Sequence, residues 1–166
     1  LTPSSLNTVS SIGGELGKKG YYTAFFHGAD NGSMGFEAFA RTAGYTHYFG
    51  RTEYNEANPD NKDFDGHWGI WDEKFFQFFG NTLSGFQQPF AAALFSLSSH
   101  HPFAVPAEYE GVFPKGNKPI RQCIGYTDNA LKLFFEKVSK EPWYKNTLFV
   151  FTADHTNSPE RPEYET

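Results

Sequence analysis

The sequence predicts an α/β fold: a largely parallel sheet with helices on both faces. Two observations predict it. Short apolar runs alternate with longer segments whose apolar residues recur at three- and four-residue spacing. The runs are continuously apolar rather than alternating, which is the pattern of strands covered on both sides. A third observation concerns chemistry. Three runs end abruptly in polar, ionisable residues: His27-Gly28, Ser98-Ser99-His100-His101 and Asp154-His155. In open parallel sheets, ligands bind outside the carboxyl ends of the strands.

Residues 5–19 are expected to form a helix ending at Gly20, and Tyr21 to Phe26 a buried strand that delivers His27. The turn formers of His27-Gly28-Ala29-Asp30-Asn31-Gly32-Ser33 then make a loop. Phe36 to Arg41 reads as a short helix stopped by Gly44, and Thr46 to Phe49 as a short strand. The polar residues 51–67 read as a long surface loop. Asp72 to Phe79 fits a helix with one apolar face, and Trp68 and Trp71 are assigned to the core. Pro89 to Leu97 is a strand, and 98–119 is irregular. Ile120 to Lys140 has the clearest helical periodicity, stopped by Pro142. Leu148 to Thr152 is expected to be the last strand.

Composition narrows the function classes. The chain has 166 residues, enough for one domain with a core, and its 19% aromatic content excludes a disordered chain. Lys+Arg 14 against Asp+Glu 19 gives a net charge of -5, so nucleic acid is not an expected partner. The single cysteine, Cys123, rules out an intrachain disulfide and reads as a buried thiol. No apolar run is long enough to span a membrane. The first residue, Leu1, and the polar tail suggest a piece of a longer protein.

Asp154 and His155 offer a carboxylate oxygen and an imidazole nitrogen just past a strand end, a donor pair suited to zinc or manganese. The alternative is a turn-capping Asp beside an exposed His. His100 and His101 precede Pro102, which holds the segment extended and would aim one imidazole into a cleft. Two plain loop histidines are the alternative there. His27 is either a site residue or a partly buried histidine bonded to backbone. No Ser or Cys sits in a G-x-S-x-G turn, and adjacent Asp-His side chains do not orient each other as a triad requires.

Four motifs in order, FFHGADNGSMGFEAFARTAGY, GIWDEKFF, SLSSHHPF and YTDNALKLFFEKVSKEPWYKNTLFVFTADH, resemble the sulfatase-like branch of the alkaline phosphatase superfamily. Within it they are most similar to the lipoteichoic acid synthase or phosphoglycerol transferase subgroup. The resemblance implies that residues 1–166 are the central to C-terminal portion of one catalytic domain, a partial alkaline-phosphatase-like domain. It implies a metal-dependent transferase or hydrolase of phosphate esters working through a Thr nucleophile upstream of this chain. A sulfatase, or a non-catalytic relative that binds metal or anionic glycan, is the alternative.

By the same resemblance, Asp154 and His155 are metal ligands, His27 lies in the substrate pocket, and His100 contacts the phosphoryl group as substrate-binding and catalytic residue. The metal is a divalent cation: manganese first, then zinc, magnesium or calcium. The substrate is an anionic phosphate or sulfate ester, such as a lipid headgroup or glycan. The chain would belong to an extracytoplasmic domain of a bacterial membrane protein, anchored by N-terminal segments outside this sequence, and would be inactive alone. Met34 and Phe36 stand where the subgroup has the Trp and Arg that grip glycerol phosphate, which puts that substrate in question. Cys123 is followed by Gly125 where a sulfatase signature has proline.

Overall fold

The computed structural model describes residues 9–155. Three parallel strands form one sheet in the order β2-β1-β3: β1, Tyr22–His27; β2, His47–Phe49; β3, Phe90–Phe95. Ala24 pairs with His47 on one side and Ala92 on the other, and His27 aligns with Phe95. The helices are α1 (Ile12–Gly17), α2 (Phe36–Thr42), α3 (Arg51–Ala57), α4 (Asp72–Ser84) and α5 (Ile120–Val138). The parallel sheet with helical layers on both faces is the predicted architecture.

The period of two along β1 divides the layers. Ala24 and Phe26, both fully buried, face α4. There the Phe26 ring lies parallel to Phe49 at 4.6 Å and edge-on to Phe79 at 4.7 Å. Behind α4 lies α5, joined through Phe76, Leu83, Ala130, Phe134 and Val138. On the opposite face, Thr23 meets Gly17 of α1, and His27 meets Phe36 of α2. Gly44 adopts φ +88 and lies so close to Gly14 that an added methyl would overlap its Cα. That left-handed turn closes α2 and brings β2 alongside β1.

Two expectations about secondary structure fail. Residues 51–57, read as loop, form helix α3. The Glu53 carboxylate accepts the Gly50 N–H at 2.6 Å, Asn31 Oδ1 accepts the Thr52 N–H, and Tyr54 is buried. One aromatic anchor and a first-turn carboxylate thus outweigh the polar composition. The second failure is Leu148 to Thr152, which makes no strand among the described residues. Phe149 packs on Phe135 at 5.0 Å, while Leu148 and Val150 are 86% and 74% exposed. Phe151 is exposed as well, so the segment is held mainly through Phe149 and has no ladder partner among the described residues. A continuous apolar run predicts a strand but not the partner its ladder needs.

The bounds of the remaining elements shift modestly. Helix α4 runs on to Ser84, and the predicted 5–19 helix is observed as the shorter α1, which starts at Ile12 after the extended N-cap Ser11; residues 5–8 lie outside the described ones.

Candidate functional site

The carboxyl ends of β1 and β3 lie side by side and carry the first two predicted site residues. His27 closes β1 and is 2% exposed. Its Nδ1 lies 3.2 Å from the Phe95 carbonyl oxygen. A carbonyl only accepts, so Nδ1 carries the hydrogen and Nε2 the lone pair. The ring is held between Phe36 at 4.2 Å and Phe95 at 5.3 Å. Burial in these apolar surroundings lowers the His27 pKa, outweighing the carbonyl contact, so the imidazole is neutral at pH 7.

His100 lies in the loop after β3 and is exposed. The loop is anchored from beneath by Asp72, the first residue of α4. Its fully buried carboxylate accepts the N–H of Leu97 at 2.8 Å, the N–H of Ser98 at 3.1 Å and the hydroxyl of Thr127 at 3.2 Å. Ser98 Oγ in turn accepts the Asp72 N–H at 3.0 Å. Burial still dominates and raises the Asp72 pKa to about 6, despite four hydrogen bonds that oppose it.

A second turn holds the loop from above. Asp65 Oδ1 accepts the N–H groups of His67, Trp68 and Gly69 at 2.7, 2.8 and 3.1 Å. Gly69 bridges Ala29, and the Ile70 N–H bonds the Gly28 carbonyl at 3.0 Å, so this turn is tied to the end of β1. Trp68, expected in the core, is half-exposed and packs edge-on against His100 at 4.6 Å. The two turns enclose a crevice of about 10 Å³, water-sized, with Asp65, Trp68, Ser98 and His100 in its wall.

Asp154 and His155 are exposed, with side chains 53% and 72% accessible. They face each other: His155 Nε2 lies 3.5 Å from Asp154 Oδ2, and the His155 N–H bonds Asp154 Oδ1 at 3.0 Å. One carboxylate and one imidazole fit a divalent cation in donor type, but they amount to part of a coordination shell. No group of three or more His, Cys, Asp or Glu positioned for a metal occurs among the described residues. Because Leu148 to Thr152 joins no sheet, strand geometry does not carry this pair to the edge that holds His27.

Asp72 and Trp68 escaped sequence reasoning as site residues. The signal for Asp72 was available: an acid opening a helix directly after an apolar Gly69-Ile70-Trp71 stretch. For Trp68 nothing local distinguishes a core indole from one that caps a loop. Cys123 is buried as expected, and burial pushes its thiol up to about 11. Met34 is 78% exposed with φ +49, and Phe36 packs on His27.

Comparison with known proteins gives one consistent picture. The sulfatase family model matches residues 2–165. The chain is similar to lipoteichoic acid synthase 2 of Bacillus subtilis, 28% identical over 157 residues, covering 90% of this chain and 23% of that protein. It is 26% identical over 153 residues to phosphoglycerol transferase I of Escherichia coli, covering 87% of this chain and 20% of the relative. Among solved structures, an alkaline phosphatase superfamily protein from Vibrio parahaemolyticus superposes with a TM-score of 0.72 at 24% identity, over 87% of this chain and 35% of that one. The lipoteichoic acid synthase LtaP of Listeria monocytogenes superposes with a TM-score of 0.67 at 22% identity, over 82% and 34%. The chain thus spans about a quarter or less of these two curated relatives.

Proposed function

The chain belongs to the sulfatase family, and on that premise we propose that it supplies the histidine-bearing part of a metal-dependent site that transfers or hydrolyses phosphate esters. The phosphate-ester choice follows the named relatives, a lipoteichoic acid synthase and a phosphoglycerol transferase. The observation that carries the proposal is shared by His27 and His100. Each imidazole has its Nδ1 against a backbone carbonyl, Phe95 O at 3.2 Å and His101 O at 3.0 Å. Each therefore presents Nε2 as the working nitrogen, at the ends of neighbouring strands.

The roles follow from environment. His100 is exposed, so in its imidazolium form it can donate Nε2–H to a phosphoryl oxygen or a departing alkoxide. Neutral His27 accepts through Nε2, for instance from a hydroxyl of the substrate's alcohol portion. Asp154 and His155 are the proposed ligands for a divalent cation, manganese or zinc by donor type. Such an ion, when bound, supplies positive charge to the transferring group and to the nucleophile. That nucleophile, a Thr by family resemblance, lies outside this chain. Its oxygen would bond to phosphorus as the ester oxygen leaves and takes a proton from His100. Placement outside the cytoplasmic membrane of a bacterium belongs to the same proposal.

The test uses the intact protein. Turnover of a nitrophenyl phosphodiester and a nitrophenyl sulfate is compared, before and after chelation and readdition of Mn²⁺ or Zn²⁺. Phosphodiester turnover restored by metal is expected, and His155→Ala, Asp154→Ala and His100→Ala should each reduce it by about a hundredfold or more. Sulfate ester turnover alone would replace the phosphate reading. Near-normal rates in Asp154→Ala or His155→Ala would sink the metal assignment.

A further inference from the structure

We propose that Trp68 is a positioning residue for His100: its indole N–H fixes the carbonyl that sets the His100 tautomer. The inference rests on the reading of His100 as the proton donor of the site. Trp68 Nε1 donates to the His101 carbonyl oxygen at 2.6 Å. The same oxygen accepts the Nδ1–H of His100 at 3.0 Å. A carbonyl has two lone pairs and here uses both. One indole therefore anchors the acceptor that keeps the His100 proton on Nδ1 and frees Nε2 for substrate.

The indole also meets the imidazole directly, edge-on at 4.6 Å with planes 72° apart. Hydrogen bond and ring contact together restrain both the peptide orientation and the ring's rotation. The His100 side chain is otherwise exposed, and the remaining contacts of its loop, from Asp72 to Leu97 and Ser98, Thr127 to Ser99 and Gln122 to Phe103, hold the chain rather than the ring. A general acid must be held in one orientation to be effective, and a small misplacement costs rate.

The clamp is itself rigid. The Asp65 carboxylate gathers three consecutive N–H groups, including that of Trp68. Next to it, Gly69 pairs with Ala29, two residues beyond His27. An added methyl on Gly69 would overlap the Gly28 carbonyl oxygen. Through Trp68, the segment that ends β1 holds the loop that ends β3. The spacing of the two histidines is thereby set by a third segment that donates nothing to substrate.

The test pairs two variants with two readouts. Trp68→Phe keeps an aromatic ring and removes the indole N–H. Trp68→Ala removes both. The first readout is the ¹⁵N NMR signature of the His100 ring nitrogens in the intact protein at a pH where the ring is neutral. Wild type is expected to show the Nδ1–H form, and Trp68→Phe a shift toward the Nε2–H form. The second is phosphodiester turnover, where kcat should fall about ten- to a hundredfold with little change in KM. Circular dichroism and the unchanged ¹⁵N shifts of His27 identify a folded variant. Tautomer shifts in Trp68→Phe with no phosphodiester turnover in wild type would remove the functional reading and leave the clamp. An unchanged His100 tautomer in folded Trp68→Phe and Trp68→Ala would overturn the proposal.

Discussion

The buried carboxylate of Asp72 allows a quantitative test. Its pKa rises from 3.8 to about 6 because burial penalises the charged form more than its hydrogen-bond donors favour it. The folded chain therefore binds a proton more tightly than the unfolded chain does. Between pH 3.8 and about 6, stability falls as pH rises, by about 3 kcal/mol for a shift of this size. Asp72→Asn cannot titrate and loses that dependence. Between pH 4.5 and 7.5 the linkage amounts to about 2 kcal/mol. The substitution also has a fixed cost. Whichever way the amide is turned, its NH₂ faces the N–H of Leu97 or of Ser98, leaving one buried donor unpaired at about 1–3 kcal/mol. That cost does not vary with pH. Urea unfolding of both proteins at the two pH values cancels every other carboxylate in the difference. Asp72→Asn should be more destabilising at pH 4.5 than at pH 7.5 by about 2 kcal/mol. A difference of zero, or one of opposite sign, would refute the argument that burial governs this carboxylate.

Other perturbations test the rest of the fold and site. Phe26→Ala removes a fully buried ring from the stack of Phe49, Phe75 and Phe79 and should cost about 3–5 kcal/mol in urea unfolding. Gly44→Ala combines a left-handed φ of +88 with overlap onto Gly14, and should cost at least about 2 kcal/mol, read as a lowered melting temperature. Glu53→Ala removes the acceptor of the Gly50 N–H and two contacts from Asn31, and should loosen α3, seen as faster amide exchange over 51–57. His27 has a lowered pKa, so the unfolded state protonates first on acidification. Its contribution is present above pH 6.5 and is lost as pH falls through the lowered pKa, and an NMR titration should find a midpoint for His27 below pH 6.5.

The sequence was most legible where apolar residues are continuous or recur at helical spacing. The apolar runs Tyr21 to Phe26 and Pro89 to Leu97 read as strands and are observed as β1 and β3, and the periodicity from Ile120 matches a helix that packs along one side. It was least legible where a long-range partner decides the outcome. Arg51 to Ala57 is polar enough for a loop, yet Asn31, twenty residues away, ties down its first turn through Glu53 and the Thr52 N–H. Leu148 to Phe151 is apolar enough for a strand, yet its inward residue finds α5 instead of a ladder. Among the candidate site residues, the placement of His27 at the end of β1 and of His100 in the loop after β3 was legible because both follow apolar runs. Trp68 was not, since a tryptophan's apolar area predicts burial, while its single N–H decides what it does here.

The division of labour between side chains and backbone explains how the two histidines reach a common arrangement from unrelated surroundings. His27 is enclosed by Phe36 and Phe95, whereas His100 stands in water beside one indole. Burial lowers the pKa of His27. What they share is a backbone carbonyl at Nδ1, and a carbonyl's position is set by the chain path rather than by side-chain packing. The path at Phe95 is fixed by parallel pairing with β1. The path at His101 lies outside the sheet and is fixed by Asp72 below and Trp68 above. Loss of pairing in β3 would therefore disturb His27, through the Phe95 carbonyl. Loss of the indole N–H disturbs His100 alone, and that asymmetry separates a local clamp from general destabilisation.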